Sequence, residues 1–355
     1  MKILVISLAG IGDTLFATPL IHELRANFPD AVIDVFVRWP GARDLLEGNP
    51  HLSATHQKDL GTAPKREVLK FLWGLRDRGY DVSLNTYPQS RRHYRLVARV
   101  IGAATRVSHE YDHANWVDRR LVNRSLPQDC ARHCIENNLA LLAALDVKPR
   151  LPRHQYEMFL NPAEESWAAD YVAKKNLAGR RLLAVHVGSG TTKNLSLRRW
   201  PLDHYVELFN RLNRERPDVP VLLMGGPEER AAHEEILARL NSPLILQPET
   251  RNFRQAAALL KKCHVFLSVD TSLMHVAAAV GVPRQIVIET PSFNKTVEPF
   301  GRDFIRVPNP SVAGRNLDFY RYDGEGIKGS REELLQCMAS VSPADVWRAL
   351  NEALN

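Results

Sequence analysis

The chain has 355 residues, room for two domains at roughly 150 residues each. A composition of 45% hydrophobic and 25% charged residues excludes a disordered, collagen-like or disulfide-scaffold protein. Its 47 basic and 40 acidic side chains leave a net charge of +7, which implies an acidic partner: a nucleic acid, an anionic membrane surface or a phosphorylated substrate.

Short β-rich apolar runs alternate with helix-length amphipathic runs, the pattern of α/β domains built on parallel sheets. Strands are expected at Lys2–Ser7, Val32–Val37, Val82–Asn85 and 105–108, with helices at 14–27, 65–78 and 91–101. These make one doubly wound domain. A helical pattern over 130–145 leads into Pro149, Pro152 and Pro162, whose missing backbone donors discourage regular structure, and the interdomain linker is placed there. A second doubly wound domain follows, with strands at 182–186, 219–224, 265–268 and 285–288. Its helices are expected at 163–176, 202–214, 228–240, 253–262 and 272–280. Residues 309–330 have no clear period and read as a long loop, and a helix at 343–354 closes the chain.

No apolar run approaches the roughly 20 residues that cross a bilayer. The start Met1-Lys2-Ile3-Leu4-Val5-Ile6 resembles a signal peptide, but it meets Gly10, Gly12 and Asp13 with no small-residue cleavage site, so it reads as a buried strand. Cys130, Cys134, Cys263 and Cys337 include no Cys-x-x-Cys pair. They form neither a disulfide framework nor a zinc pattern, and a reducing cytoplasm fits them.

Ligands of such sheets bind beyond the carboxyl ends of strands, so the loops after strands carry the candidate chemistry. After the first strand, Gly10-Ile11-Gly12-Asp13-Thr14-Leu15 is a poor dinucleotide fingerprint, because Leu15 replaces the third glycine and the second strand ends at Val37-Arg38 without an acid for a ribose. A carboxylate here competes with a phosphate for the helix amides. Asp13 is therefore either an N-cap or a general base projecting from a glycine turn. After the strand at 182–186, Gly188-Ser189-Gly190-Thr191-Thr192-Lys193 and Arg198-Arg199-Trp200-Pro201 suit an anion through backbone approach, hydroxyls and cations. Gly225-Gly226-Pro227 is a turn placed for a nucleoside, and Asp270-Thr271-Ser272 opens a helix whose amides form a second anion-binding end. His275 reads either as a packed, satisfied histidine or as a ligand contact. At 91–101, Arg92, Arg95 and Arg99 share one helical face and Leu96, Val97, Val100 and Ile101 another. With Lys65 and Arg66 that basic face is either solvated or set against phosphates or anionic headgroups.

Taken together, Gly12-Asp13-Thr14-Leu15 with Pro19-Leu20, Leu24-Arg25 and Pro29, then Arg198-Arg199-Trp200-Pro201, then Ser268-Val269-Asp270-Thr271-Ser272 with His275-Val276-Ala277-Ala278-Ala279, resemble the ADP-heptose:lipopolysaccharide heptosyltransferases, glycosyltransferase family 9. The resemblance runs from Met1 to about Ile288. It implies a GT-B fold of two facing doubly wound, Rossmann-like domains with an interdomain cleft. Residues 1–155 would bind the acceptor, 156–340 the nucleotide sugar, and 341–355 would form a closing helix with the N-terminal domain as a candidate packing surface. It further implies inverting transfer of heptose from ADP-heptose to a phosphorylated glycolipid of the lipopolysaccharide inner core, in the cytoplasm and peripherally on the inner membrane. Asp13 matches the family's catalytic base. Arg198 falls where the family usually carries a lysine near the diphosphate, and Thr191 and Thr192 resemble its phosphate-loop threonines. Asp270, Thr271 and Ser272 match the segment against sugar and diphosphate. Gly188, Lys193, Gly225 and His275 complete the expected donor set, while Gly12, Lys65, Arg66, Arg91, Arg92 and Arg95 form the expected acceptor set.

No Asp-x-Asp occurs anywhere in the chain, so no metal or other cofactor is expected. Cations and helix amides would then stabilise the leaving diphosphate, and nucleic acid drops out as a partner. The chain departs from the family in extra residues at 193–197, in the strand ending Glu289-Thr290, and in a 309–330 segment without cysteines. A GT-B transferase for another sugar nucleotide and a non-catalytic nucleotide-sugar-binding protein stand as alternatives.

Overall fold

The computed structural model describes residues 1–88, 91–190, 194–319 and 326–355. They form two compact units. The first comprises Met1–Phe159 with Lys295–Gly301, and the second Leu160–Asn294 with the described residues from Arg302 to the C-terminus.

In the first unit β1 (Lys2–Ser7), β2 (Val32–Val37), β3 (Ala54–Gln57), β4 (Val82–Asn85), β5 (Thr105–Glu110) and β6 (Arg124–Pro127) make a parallel sheet in the order β3-β2-β1-β4-β5-β6. This is the doubly wound order, and its direction reverses between β1 and β4. Because side chains alternate faces along a strand, Ile3 and Val5 enter a core with Leu20, Leu24 and Leu142, whereas Leu4 and Ile6 enter another with Leu72, Leu75 and Ile101. A strand covered on both faces must be apolar throughout, which is why β1 reads so clearly. Residues Lys295–Gly301 return from late in the sequence to finish this unit. Cys134 N donates to Thr296 O at 2.9 Å, while Tyr156 Oη and His133 Nε2 donate to Glu298 O at 3.1 and 2.9 Å.

In the second unit β7 (Leu183–His186), β8 (Val221–Met224), β9 (Ile245–Leu246), β10 (Val265–Ser268), β11 (Arg284–Ile288) and β12 (Phe304–Val307) pair in parallel in the order β12-β11-β10-β7-β8-β9. The same winding puts the reversal between β7 and β10. Trp200 is fully buried in this core, its indole donating to Val341 O at 2.9 Å, so the ring is desolvated without orphaning its N–H. Ser342 caps the closing helix Pro343–Leu354. The buried Val346, Trp347, Leu350 and Leu354 of that helix lie in this second core with Leu183, Val185 and Leu223. The helix therefore belongs to the second unit and not to the N-terminal domain, because its apolar stripe completes the face left bare on β10 to β12.

All eight expected strands are present. The four that sequence patterning missed, β3, β6, β9 and β12, are the outermost strands of the two sheets. The 309–330 segment, expected as loop throughout, contains a short helix at Asn316–Phe319.

Candidate active site

At the β1/β4 switch point of the first unit, the chain leaves Ser7, crosses Leu8 to Ile11 and enters a tight helical turn at Gly12–Ala17 that runs into helix Thr18–Asn27. Asp13 sits in the first turn and is not the N-cap, a position held by Ile11. The Asp13 carboxylate reaches backward instead, its Oδ2 accepting from Gly10 N at 2.7 Å. A Cβ on residue 10 would lie 2.8 Å from that oxygen, so glycine is what permits the approach. Two neighbours hold the loop from outside: Trp39 Nε1 donates to Ala9 O at 2.8 Å and Tyr94 Oη to Leu8 O at 3.4 Å.

Arg38, the first residue after β2, was not singled out from the sequence, yet it belongs to this place. Its guanidinium lies 4.2 Å over the Trp39 ring while Nε donates to Asp59 Oδ1 at 3.0 Å. Asp59 is held down at about 2 by the Thr62 hydroxyl, the Gly61 amide and Arg38, so it stays charged and keeps the arginine in place. Burial raises the Tyr94 phenol, the Arg91 and Arg38 guanidiniums oppose that rise, and the Asp13 carboxylate adds to it. One ring thus senses all three charges. The one available signal was position, since Arg38 follows the strand beside β1.

The expected acceptor residues divide. Gly12 is buried in the turn, while Lys65 and Arg66 are exposed in the first turn of helix Lys65–Arg76. Arg91 is the N-cap residue of helix Arg92–Ile101, and Arg92 pairs with Asp118 at 3.0 Å. Arg95 is corrected: it is 1% exposed, its Nη1 donates to Asp118 O at 3.0 Å and its Nη2 donates to His109 O, and its guanidinium lies 4.4 Å over Tyr111. Two inward carbonyls need donors there, and Leu96 is turned outward instead, 49% exposed.

At the β7/β10 switch point of the second unit, Arg198 and Asp270 come together. Arg198 Nη1 donates to Asp270 Oδ2 at 2.8 Å and to Ser292 Oγ at 3.0 Å, and Ser292 Oγ donates to the same carboxylate oxygen at 3.2 Å. Thr271 is the N-cap residue of helix Ser272–Val280, but its side chain does not cap the helix. The Thr271 hydroxyl meets His186 Nδ1 at 3.2 Å. An eclipsing cap is thereby withheld from a helix start that, with its dipole, suits an anion. His275, one turn on, is 3% exposed, and burial pushes it down to about 4, so it is a neutral, packed imidazole at pH 7.

Gly188 and Gly225 close on a residue that the sequence reading passed over, Glu229. Its Oε2 accepts from Gly226 N at 2.9 Å, and His186 and Arg199 lie 3.9 and 3.6 Å from the carboxylate. A side chain at 188 would overlap the carboxylate, and one at 225 would come within 2.9 Å of its Cβ. Burial raises the pKa of Glu229, but His186, the Gly226 amide and Arg199 outweigh it and keep the acid below its usual value. The signal was legible, because an acid after the second strand is where a doubly wound sheet holds a ribose. Thr191, Thr192 and Lys193 lie outside the described residues. The next residue, Asn194, is pinned to Ile327 by two hydrogen bonds of 2.8 and 3.0 Å.

Among the described residues, His22, His51 and Glu157 form a cluster with metal-ligating atoms. The two imidazoles stack at 3.7 Å with 15° between planes, and parallel rings so placed cannot both aim in-plane lone pairs at one ion. His51 also precedes β3, at the edge of the sheet opposite Asp13.

Two Rossmann-ordered sheets, each with polar side chains at its switch point, define a two-domain α/β protein of the doubly wound class. The family model for glycosyltransferase family 9 (heptosyltransferase) matches residues 68–307, and the chain belongs to that family: it is a glycosyltransferase. Among curated relatives, lipopolysaccharide heptosyltransferase 2 of Salmonella typhimurium strain LT2 is 29% identical over 304 residues, covering 80% of this chain and 81% of the relative. Lipopolysaccharide heptosyltransferase 3 of Escherichia coli K12 is 26% identical over 278 residues, covering 77% and 78%. Of solved structures, a family 9 glycosyl transferase from Veillonella parvula superposes with a TM-score of 0.78 at 17% identity over 99% of this chain and 97% of that one. The E. coli ADP-heptose lps heptosyltransferase II superposes with a TM-score of 0.70 at 24% identity, over 100% and 98%. The fold is GT-B.

Proposed function

We propose that the chain transfers heptose from ADP-heptose to a phosphorylated acceptor of the lipopolysaccharide inner core, with inversion and without a metal. The observation that carries this reading is the second switch point. There Arg198, the Ser272–Val280 helix start and the glycines around Glu229 offer a cation, helix amides and a carboxylate on the loops after the strands. Relatives named for heptose transfer to lipopolysaccharide, and family membership, support the choice of sugar and acceptor.

In this mechanism the acceptor hydroxyl oxygen forms a bond to the anomeric carbon as its proton passes to the Asp13 carboxylate. The bond from that carbon to the diphosphate oxygen breaks, and its electron pair leaves with ADP. A carboxylate is a weak base for a hydroxyl, so the proton moves as the new bond forms. Single displacement from the opposite face inverts the centre. Charge growing on ADP is met by Arg198 and the amides of the helix start, which is electrostatic stabilisation by preorganised groups. Thr191, Thr192 and Lys193 join them on the sequence resemblance. Glu229 accepts from the ribose hydroxyls, Asp270 and Thr271 face the sugar, and His275 is a packing group under this loop. Lys65, Arg66, Arg91 and Arg92, now with Arg38, take the acceptor's phosphates. The protein works in the cytoplasm, at the inner face of the membrane that carries the acceptor.

Asp13→Asn keeps an acceptor for Gly10 N while losing the base. It is expected to abolish turnover and leave ADP-heptose affinity nearly intact, assayed with a chelator present throughout. Turnover at the normal rate removes Asp13 as base, and turnover lost to the chelator removes metal independence. Melting shifts should favour ADP over UDP and GDP, with preference for either of the others pointing to a different sugar nucleotide. Mass spectrometry of the product identifies the sugar.

A further inference from the structure

Large apolar side chains are exposed at few places among the described residues, and four of them fall on three neighbouring helices of the first unit. Leu69 and Trp73 on helix Lys65–Arg76 are 50% and 63% exposed, Leu96 on helix Arg92–Ile101 is 49%, and Trp116 on helix Trp116–Leu121 is 66%. The rest, such as Met1 and Leu335, are scattered. Single exposed hydrophobics need no explanation, whereas a cluster does.

The helices are held side by side. Leu72, Leu75, Val97 and Ile101 share one core beneath the first two, Arg76 Nη1 donates to Val100 O at 3.1 Å, and Arg92 pairs with Asp118 on the third helix. Their outward faces therefore form one surface. On the first helix Leu69 and Trp73 stand four residues apart, and Arg66 and Lys70 share that stripe. On the second, Leu96 stands between Arg92 and Arg99. On the third, the Arg120 guanidinium lies 5.0 Å from the Trp116 ring. The opposing acids are largely engaged: Glu67 with Lys58 at 2.7 Å, Glu110 with Arg119 at 2.7 Å and the buried Asp118 with Arg92 at 3.0 Å, while Asp77 lies at the helix end.

Tryptophan and leucine ringed by lysine and arginine, on helices too short and too polar to span a bilayer, match the chemistry of an anionic lipid surface. Indoles settle at headgroup depth and cations neutralise the lipid phosphates. A protein partner would be expected to offer acids to this rim, and nothing else in the structure selects one. We infer that these three helices form a lipid-docking face, with Trp73 and Trp116 seated among the headgroups of an anionic leaflet and Lys70 and Arg99 against its phosphates. Lys65 and Arg91 begin their helices at the carboxyl edge of the sheet, the edge that carries Asp13. Docking would thus set that edge beside lipid, where a lipid-linked acceptor emerges. The inference deepens the membrane contact in the function proposed above, and its deciding measurement, vesicle binding, uses neither donor nor acceptor.

The test is partition onto phosphatidylcholine vesicles with and without phosphatidylglycerol at low salt, followed by sedimentation. The full-length protein should bind the anionic vesicles and not the neutral ones. Trp73→Ser and Trp116→Ser should each weaken binding about tenfold, and Lys70→Gln with Arg99→Gln roughly thirtyfold. Melting temperatures should not move, since these side chains are exposed. Absence of binding to anionic vesicles, or tryptophan variants that bind as tightly as the parent, overturns the inference. Transfer to a water-soluble, delipidated acceptor should be unchanged in the tryptophan variants; if it falls, the surface belongs to the acceptor site instead. Failure of heptose transfer altogether, with vesicle binding intact, would count against the proposed reaction and not against this face.

Discussion

Replacing Arg198 by alanine tests the second switch point on stability and ligand affinity together. The guanidinium and Asp270 are only 11% and 12% exposed, and the ion pair spans 2.8 Å. Removal of Arg198 leaves Asp270 with the Ser292 hydroxyl at 3.2 Å in place of a guanidinium. Breaking a buried pair from one side costs about 3–5 kcal/mol. Because each partner keeps a share of its surface in water, the lower end, about 3 kcal/mol, is expected for Arg198→Ala. At about 2–4 °C per kcal/mol for a domain of this size, the second unit should melt roughly 6–12 °C earlier. Adding Asp270→Asn removes the stranded charge and should recover about two thirds of that loss, a coupling that only a double-mutant cycle exposes. Arg198→Ala should also weaken ADP binding about 10- to 100-fold, the range of one charge-assisted hydrogen bond. Asp270→Asn alone should tighten it, because a carboxylate that competes for the arginine and repels the diphosphate is gone. Scanning calorimetry and ADP titration read the two effects separately. A double variant as unstable as Arg198→Ala, or ADP affinity unmoved by losing Arg198, refutes the reasoning.

Three further outcomes follow from the geometry. Arg95→Ala should destabilise the first unit by about 2–4 kcal/mol, since two buried carbonyls lose their donor, while the acceptor KM of the surviving enzyme stays unchanged; a raised KM without destabilisation would return Arg95 to the acceptor surface. Gly188→Ala should cost about 1–3 kcal/mol by driving the Glu229 carboxylate from its Gly226 amide, with ADP affinity falling in step, and an unperturbed variant would show that Glu229 moves freely. Burial holds His109, His233 and His275 at about 4 against an ordinary 6.5. The unfolded chain therefore binds protons between those values that the folded chain refuses. Stability should fall as pH drops through that window by about 1.4 kcal/mol per pH unit per histidine, a slope that His275→Gln lowers by one group. A melting temperature flat from pH 6.5 to the acid limit of that window would contradict it.

The central strands were legible because each is covered on both faces and must be apolar along its length, as in Leu183 to Val185. Two of the outermost strands escaped for the converse reason, and a third, β9, is only two residues long. β3 reads Ala-Thr-His-Gln and β6 reads Arg-Ser-Leu-Pro, sequences that an edge tolerates and no pattern flags. Helical spacing grouped Arg95 with Arg92 and Arg99, but spacing defines a stripe and not its direction. Carbonyls contributed by residues 109 and 118 decided that Arg95 points inward. Asp13, Arg198 and Asp270 were found by their place after strands, a property of chain order. Arg38 and Glu229 also follow strands, but what distinguishes them is the company of Asp59 and Gly188, brought from elsewhere in the chain.

The return of Lys295–Gly301 to the first unit bears on how this enzyme can be recombined. A chimera that exchanges the second unit by a single cut near residue 159 would give the first unit a foreign segment in place of Thr296 and Glu298. Cys134 N, Tyr156 Oη and His133 now engage main-chain carbonyls there, and a segment packed by other side chains need not hold its carbonyls in the same places. Exchange of the second unit therefore calls for three junctions, with residues 295–301 travelling with the first unit although they are encoded among the second. An expressed fragment ending at residue 159 should be poorly folded on its own, and supplying the seven-residue strap as a fused tail is the design that restores it.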